Sequence, residues 1–266
     1  MIIIGELINS SRSKIAKAIE EKDAEYIKGI ATKQADAGAD YIDINCGTNL
    51  KTEEEDLSWL AGIVQEVVEL PLCIDSPRPS AIEAVLKINK NSTPIINSVT
   101  AEKERAEVIL PMVKEHKCNI VALTMDESGV PHDTEGRFAS AEKLAGFMDE
   151  YGIPMDNVFF DAIVQPVSSG PEQGIAFLDA VRKINETFPE AHIVCGLSNI
   201  SYGLPNRKLV NRVTLAMAMA NGLDAAIIDP TDVQMMATIC AAEALLARDE
   251  YCMKYITASR EGKLDV

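Results

Sequence analysis

Along the chain, short runs dense in Ile, Val, Leu and Phe alternate with longer stretches whose apolar positions fall three and four apart. The runs are Ile2–Leu7, Tyr41–Cys46, Leu72–Ser76, Pro94–Val99, Asn119–Met125, Val158–Val164, His192–Ser198 and Ala225–Asp229. Each is nearly continuous, the pattern of a strand buried on both faces rather than of one with a wet face. Helical spacing predicts helices over Asp23–Ala37, Leu57–Val68, Ala81–Ile88, Ala101–Lys114, Ala141–Glu150, Pro171–Thr187, Lys208–Ala220 and Asp232–Ala247. Regular alternation of strand and helix in 266 residues predicts a parallel (β/α)8 TIM barrel, a fold that typically takes about 250 residues. A doubly wound open sheet is the alternative. It normally carries a glycine-rich phosphate loop after the first strand, where this chain reads Gly5-Glu6-Leu7-Ile8-Asn9. No linker or low-complexity segment divides the chain, so residues 1–266 read as a single domain.

Composition narrows the partners. A formal net charge of −16 disfavours nucleic acid, which needs clustered Lys or Arg. The acidic runs Glu20–Glu25 and Glu53–Asp56 read as solvated helix surface. No stretch approaches the roughly 20 apolar residues of a membrane span, and no basic segment followed by an apolar one opens the chain. A cytoplasmic location without membrane contact is the expectation. The cysteines, Cys46, Cys73, Cys118, Cys195, Cys240 and Cys252, form no C-x-x-C pair and adjoin no histidine, so they predict buried small residues and no metal site.

In such a barrel the working site lies at the C-terminal ends of the strands. Those ends carry Glu6 and Asn9, Asp43 and Asn45, Asp75 and Ser76, Asn97 and Ser98, Thr124 and Asp126, Asp161, Ser198 and Asn199, and Asp229. Any one of them could be a helix cap or a turn former. Together they predict a small-molecule pocket, because a barrel needs a few caps but not a carboxylate or carboxamide at almost every strand end. The set contains no Lys, Arg or His. It offers acceptors and amides to a neutral, nitrogen-rich heterocycle and suits a phosphate poorly. His116 falls at a helix end, His192 at the start of a strand and His132 in a top-side loop, so neither a Ser–His–Asp nor a Cys–His arrangement forms. Chemistry here is expected to rest on positioning and hydrogen bonding.

These motifs resemble the pterin-binding barrels of methyltetrahydrofolate:corrinoid methyltransferases. The resemblance runs over nearly the whole chain. It is carried by Gly5-Glu6-Leu7-Ile8-Asn9, Asp43-Ile44-Asn45, Leu72-Cys73-Ile74-Asp75-Ser76, Ile96-Asn97-Ser98, Leu123-Thr124-Met125, Asp161, Gly196-Leu197-Ser198-Asn199, Asn206-Arg207 and Asn211-Arg212. It implies that Asp75, Asn97 and Asp161, with Gly196, Ser198 and Asn199, bind the pterin of tetrahydrofolate or 5-methyltetrahydrofolate as substrate. It also implies that Asn199 hydrogen-bonds the pterin nitrogen that carries the methyl group, with Asp75 in the proton network. Glu6, Asn9, Asp43, Asn45, Tyr202, Arg207 and Asp229 are candidates for further pocket or corrinoid contact. The methyl acceptor would be the cobalt of a cobamide carried by a partner corrinoid protein, and the enzyme would be a homodimer.

Ile200-Ser201-Tyr202-Gly203-Leu204-Pro205 resembles the folate modules of methionine synthase and the tetrahydrofolate methyltransferases of corrinoid-dependent demethylation systems more than the acetogenic branch. Two competing readings are a dihydropteroate synthase and a non-catalytic pterin-binding scaffold. The first uses Lys and Arg after late strands, whereas strands seven and eight here end in Gly-Leu-Ser-Asn and Asp229-Pro230. Leu204–Ala220 and Asp232–Ala247 are candidate subunit-packing helices, although Met217, Met219, Met235 and Met236 read equally as barrel-to-helix core.

Overall fold

Every apolar run becomes a strand, and each strand but the first leads through one principal helix to the next. In a computed structural model, residues 1–48 and 51–265 are described; Asn49, Leu50 and Val266 lie outside them. The order is β1 (Ile2–Asn9), α1 (Ser13–Glu20), α2 (Ala24–Asp36), β2 (Tyr41–Asn45), α3 (Glu53–Val64), β3 (Leu72–Asp75), α4 (Pro79–Ile88), β4 (Ile95–Thr100) and α5 (Lys103–His116). It continues with β5 (Asn119–Leu123), α6 (Thr134–Tyr151), β6 (Val158–Asp161), α7 (Gln173–Thr187), β7 (His192–Val194), α8 (Arg207–Ala220), β8 (Ala225–Ile228), α9 (Val233–Leu245) and α10 (Met253–Arg260). The sheet order is β7-β6-β5-β4-β3-β2-β1-β8, and every strand pair is parallel. Its two edges meet: Asp224 donates to the Ile193 carbonyl at 3.3 Å and Ile227 to the Cys195 carbonyl at 3.0 Å. These bonds bring the β7 and β8 edges together and nearly close the barrel.

Two apolar layers hold the barrel together. The larger lies between the strands and the surrounding helices. The smaller fills the barrel interior with Ile4, Cys73, Ile95, Val121, Phe159, Val194 and Ala225. Side chains alternate across a strand, so residues two positions further on point the same way. Moving up by two from Ile4, Cys73, Ile95, Phe159 and Val194 gives Glu6, Asp75, Asn97, Asp161 and Gly196. Tyr41, packed against the same interior cluster, leads likewise to Asp43. The apolar plug thus ends in a polar layer one step higher, at the C-terminal ends of the strands.

Local chemistry sets the element boundaries. Asp23 caps α2 by accepting from the Tyr26 N–H at 3.1 Å, Asp133 caps α6 through Gly136 at 2.8 Å, and Pro79 opens α4. The Asp133 cap starts α6 seven residues before the predicted Ala141, and α3 begins at Glu53 rather than Leu57. Gly5 is required by space, since a Cβ there would lie 2.5 Å from Gln34 Oε1, which itself accepts from the Leu7 N–H at 2.9 Å. That bond satisfies backbone where the β1–β2 register shifts between Gly5 and Ile8. The spacing pattern misses α1 and α10, each eight residues long, because two turns give too few apolar repeats to register.

Two sequence expectations are corrected. The predicted strand His192–Ser198 stops at Val194, and Leu197–Ser201 forms a 3-10 turn instead. The acidic run Glu53–Asp56 is not uniformly solvated. Glu53 is 0% exposed, with Oε1 accepting from Ser76 Oγ at 2.6 Å and Oε2 lying 3.5 Å from Arg78 Nε. Asp56 is also buried, against Lys22 at 2.5 Å and Thr52 Oγ1 at 2.6 Å. Both side chains lie in the first turn of α3, Glu53 turned toward Ser76 after β3 and Asp56 toward Lys22 between α1 and α2. Of the four methionines, Met219 and Met235 are buried core and Met236 is partly buried against it, but Met217 is exposed.

Candidate active site

A cavity of about 550 Å³ opens at the strand tops on the β1, β2, β3, β7 and β8 side of the barrel. Eight of the predicted residues line it: Glu6, Asn9, Asp43, Asp75, Gly196, Ser198, Asn199 and Arg207. The 3-10 turn that follows β7 carries Ser198 and Asn199. Val167 donates to the Ile200 carbonyl at 3.1 Å, and Tyr202 to the Asn199 carbonyl at 3.1 Å. Arg207 donates from Nη2 to the Ser198 carbonyl at 2.6 Å and from Nε to the buried Ser201 hydroxyl at 3.0 Å. The glycine before this turn has ordinary φ, −78°; a Cβ there would sit 3.6 Å from Asn199 Nδ2, in the cavity wall.

The remaining predicted residues support the cavity or stand apart from it. The Asn45 Oδ1 accepts from Gly47 N at 3.1 Å and Ser10 Oγ at 3.4 Å, in register with Asp75 on β3. Asn97 is in register with Asp75 across β3–β4, and its side chain lowers the proton affinity of neighbouring Asp43 and Cys73 against the effect of burial. Asp161 is buried at the end of β6, Oδ1 accepting from Ile163 N at 2.8 Å. Asp229 closes a turn on Thr231, accepting from its N–H at 2.9 Å and its hydroxyl at 2.6 Å. Tyr202 stands outside the cavity lining and is 68% exposed, the Arg207 guanidinium carbon 6.0 Å from its ring centroid.

Crowding carboxylates into a dry barrel mouth raises their proton affinity, because burial disfavours the charged form and like charges add to it. Burial pushes Asp161 up to about 7, against hydrogen bonds from Ile163 and Gly196 that favour ionisation. Burial likewise lifts Asp75 to about 6, with Glu53 adding to it and Asn45 opposing. Asp43 lies well above the usual carboxylate range, first from burial and then from neighbouring Asp75; its Oδ1 has no hydrogen-bond partner among the described residues. Glu6 is raised by burial, against the Arg12 guanidinium that donates to Oε1 at 2.7 Å. Such groups can hold or release a proton near neutral pH and can each accept paired N–H donors.

No histidine or thiol enters this chemistry. His192 Nδ1 lies 2.6 Å from Asp224 Oδ2 at the opposite end of the barrel, and His132 offers its backbone carbonyl to Arg137 and Gln173. Burial pushes the Cys46 thiol up to about 12, and those of Cys73 and Cys195 well above their ordinary value. They cannot supply a thiolate. Among the described residues no group of three metal-ligating side chains forms.

Reading strand ends alone misses Ser11, Arg12, Lys208, Asn211 and Ile227, which also line the cavity. Arg12 and Lys208 come from helix starts, not strand ends, so the absence of cations from the strand-end set did not carry over to the cavity. The signal that would have found them is position: Arg12 immediately precedes α1, and Lys208 lies in the first turn of α8.

A family profile described as pterin binding enzyme matches residues 5–229. The chain is 40% identical over 266 aligned positions to the methylcorrinoid:tetrahydrofolate methyltransferase of Eubacterium limosum, covering 99% of this chain and 98% of that one. It is 30% identical to the methionine synthase of Mycobacterium leprae over 86% of its own length, but spans only 20% of that protein. Among solved structures, Xanthomonas albilineans dihydropteroate synthase with 4-aminobenzoic acid superposes with a TM-score of 0.66 at 18% identity, covering 94% and 92% of the two chains. The fold is shared at that distance. No helix among the described residues is long and apolar enough to cross a membrane.

Proposed function

Since the chain belongs to the pterin binding enzyme family, we propose that the cavity at the strand tops takes the pterin ring of a folate. The enzyme is a methyltransferase that moves a methyl group between 5-methyltetrahydrofolate and the cobalt of a corrinoid protein. Full-length relatedness to the Eubacterium limosum enzyme is the observation that carries this activity. The name of that relative, with methylcorrinoid as donor, favours flow from methyl-cobalt to tetrahydrofolate.

Asp75 in the cavity wall, with Asn97 on β4 and Asp161 on β6 beyond its lining, holds the edge of the pterin that carries its ring N–H and exocyclic amino donors. A buried carboxylate accepting two N–H bonds discriminates sharply, because an analogue lacking the donors leaves it unpaired. Asn199 donates from its amide to the nitrogen that gains or loses the methyl group, stabilising the charge that develops there. An amide does not give up a proton at neutral pH, so the proton on that nitrogen passes through Asp75, whose raised proton affinity suits exchange. Cobalt, when the partner is docked, supplies the nucleophile or the leaving group. The residues of this chain bind the folate, aim its methyl nitrogen at the cavity mouth and manage one proton.

The dihydropteroate synthase alternative yields to full-length identity with a methyltransferase, not to a shortage of cations, since Arg12, Arg207 and Lys208 line the cavity. A single catalytic domain and a homodimer complete the reading. The dimer is supported by exposed Leu209, Val213 and Met217, a stripe at four-residue spacing along α8. A cytoplasmic setting is supported by six cysteines that are all free thiols. Mixing the enzyme with Co(I) cobalamin and 5-methyltetrahydrofolate in a stopped-flow spectrometer tests the function. The Co(I) band should decay with enzyme-dependent kinetics; tight pterin binding without decay would make the chain a scaffold.

A further inference from the structure

The cavity is electrically two-ended. Its floor is acidic, with Asp43 at 2% exposure and Asp75 beside it. Its outer wall is basic in a chain that carries 41 acidic and 25 basic residues, and here Arg12 and Lys208 line the same space as those acids. Side-chain exposure rises to 43% for Arg12 and 74% for Lys208, so the cations stand at the solvent end. Both are anchored at one point only. Arg12 Nη2 donates to Glu6 Oε1 at 2.7 Å, and Lys208 Nζ lies 3.0 Å from Asp232 Oδ2. Each therefore keeps N–H donors that these single contacts do not use, because guanidinium carries five and ammonium three.

Folate is two-ended in the complementary sense. Its pterin presents N–H donors and its far end carries the carboxylates of a glutamate tail. Acids on the floor attract the first and repel the second, while cations at the rim do the reverse. Resting on the folate reading above, we propose that Arg12 and Lys208 form a rim subsite for the glutamate carboxylates of folate, favouring tails of several glutamates and orienting the pterin inward. Arg12 stands where β1 hands over to α1, and Lys208 in the first turn of α8, so the subsite bridges two separate elements. Contacts of this exposure act through charge and are screened by salt.

The test measures affinities of wild type and of Arg12→Gln, Lys208→Gln and the double variant for three probes: 6-methyltetrahydropterin, tetrahydrofolate with one glutamate, and tetrahydrofolate with three. At low ionic strength wild type should bind the triglutamate about fivefold more tightly than the monoglutamate, as expected for two exposed ion pairs. The double variant should lose most of that preference while keeping its affinity for 6-methyltetrahydropterin, which also reports that the pocket is intact. An unchanged preference in the double variant, or none in wild type, overturns the subsite. A double variant that keeps the preference but loses methyl exchange with the corrinoid protein overturns it too, giving the cations to the partner. Failure of all three probes to bind removes the folate reading as well, whereas tail-independent binding removes the subsite alone.

Discussion

Arg207 ties the Asn199 turn to α8 by donating to the carbonyl oxygen of Ser198 at 2.6 Å. Its second bond, to the buried Ser201 hydroxyl at 3.0 Å, fixes the other end of the same turn. The turn that carries Asn199 is therefore held in place by a charged, forked donor rather than left as a loose loop. Replacing Arg207 by Ala should slow methyl transfer about ten- to a hundredfold, the range of one or two lost charge-assisted hydrogen bonds. Lys should rescue it only in part, since one ammonium cannot span both acceptors. Steady-state rates of the three proteins decide this.

Folate binding should strengthen as pH rises. Burial pushes Asp75 up to about 6 and Asp161 up to about 7, and in the proposed pose only their ionised forms would accept two N–H bonds from the pterin. Affinity for 5-methyltetrahydrofolate should rise between pH 5.5 and 7.5, by at most about tenfold per pH unit for each proton released. Calorimetry in buffers of different ionisation enthalpy would read the proton release directly.

The same groups cost stability in the free enzyme. Their folded-state proton affinity exceeds that of the unfolded chain, so the folded form binds more protons between the ordinary carboxylate range and about 7. Stability from these groups is fully present at lower pH and falls as pH rises through that window. Asp161→Asn should raise the melting temperature at pH 7.5, and the gain should shrink by pH 5. Thermal unfolding at both pH values checks the sign.

Glu53 is the support behind this acid layer. Truncation to Ala would leave the buried Ser76 hydroxyl without its 2.6 Å partner, a loss of about 1–3 kcal/mol. Urea unfolding should show it as a lower midpoint with an unchanged slope.

The barrel was legible because strands buried on both faces write themselves as unbroken apolar runs, and because strand tops converge in space. Glu6, Asp43, Asp75 and Asn199 followed from that rule alone. Arg12 and Lys208 did not, since helix starts reach the cavity only through the path of the connecting chain. Glu53 was hidden for a related reason. An acidic run at a helix start looks solvated in sequence, and only the packing of α3 against Ser76 turns one of its members inward. The extent of β7 was overestimated because Gly196-Leu197 continues an apolar run while its backbone leaves the sheet.

In the proposed mechanism Asn199 acts on the reacting nitrogen and not merely on the bound ring. Single-turnover methyl transfer and equilibrium binding of 5-methyltetrahydrofolate, measured side by side on Asn199→Ala, test it most directly. Transfer should fall about 10²- to 10³-fold, roughly 2.7–4 kcal/mol, as for a lost donor to developing charge, while affinity changes far less. A transfer rate equal to that of wild type would remove Asn199 from the reaction.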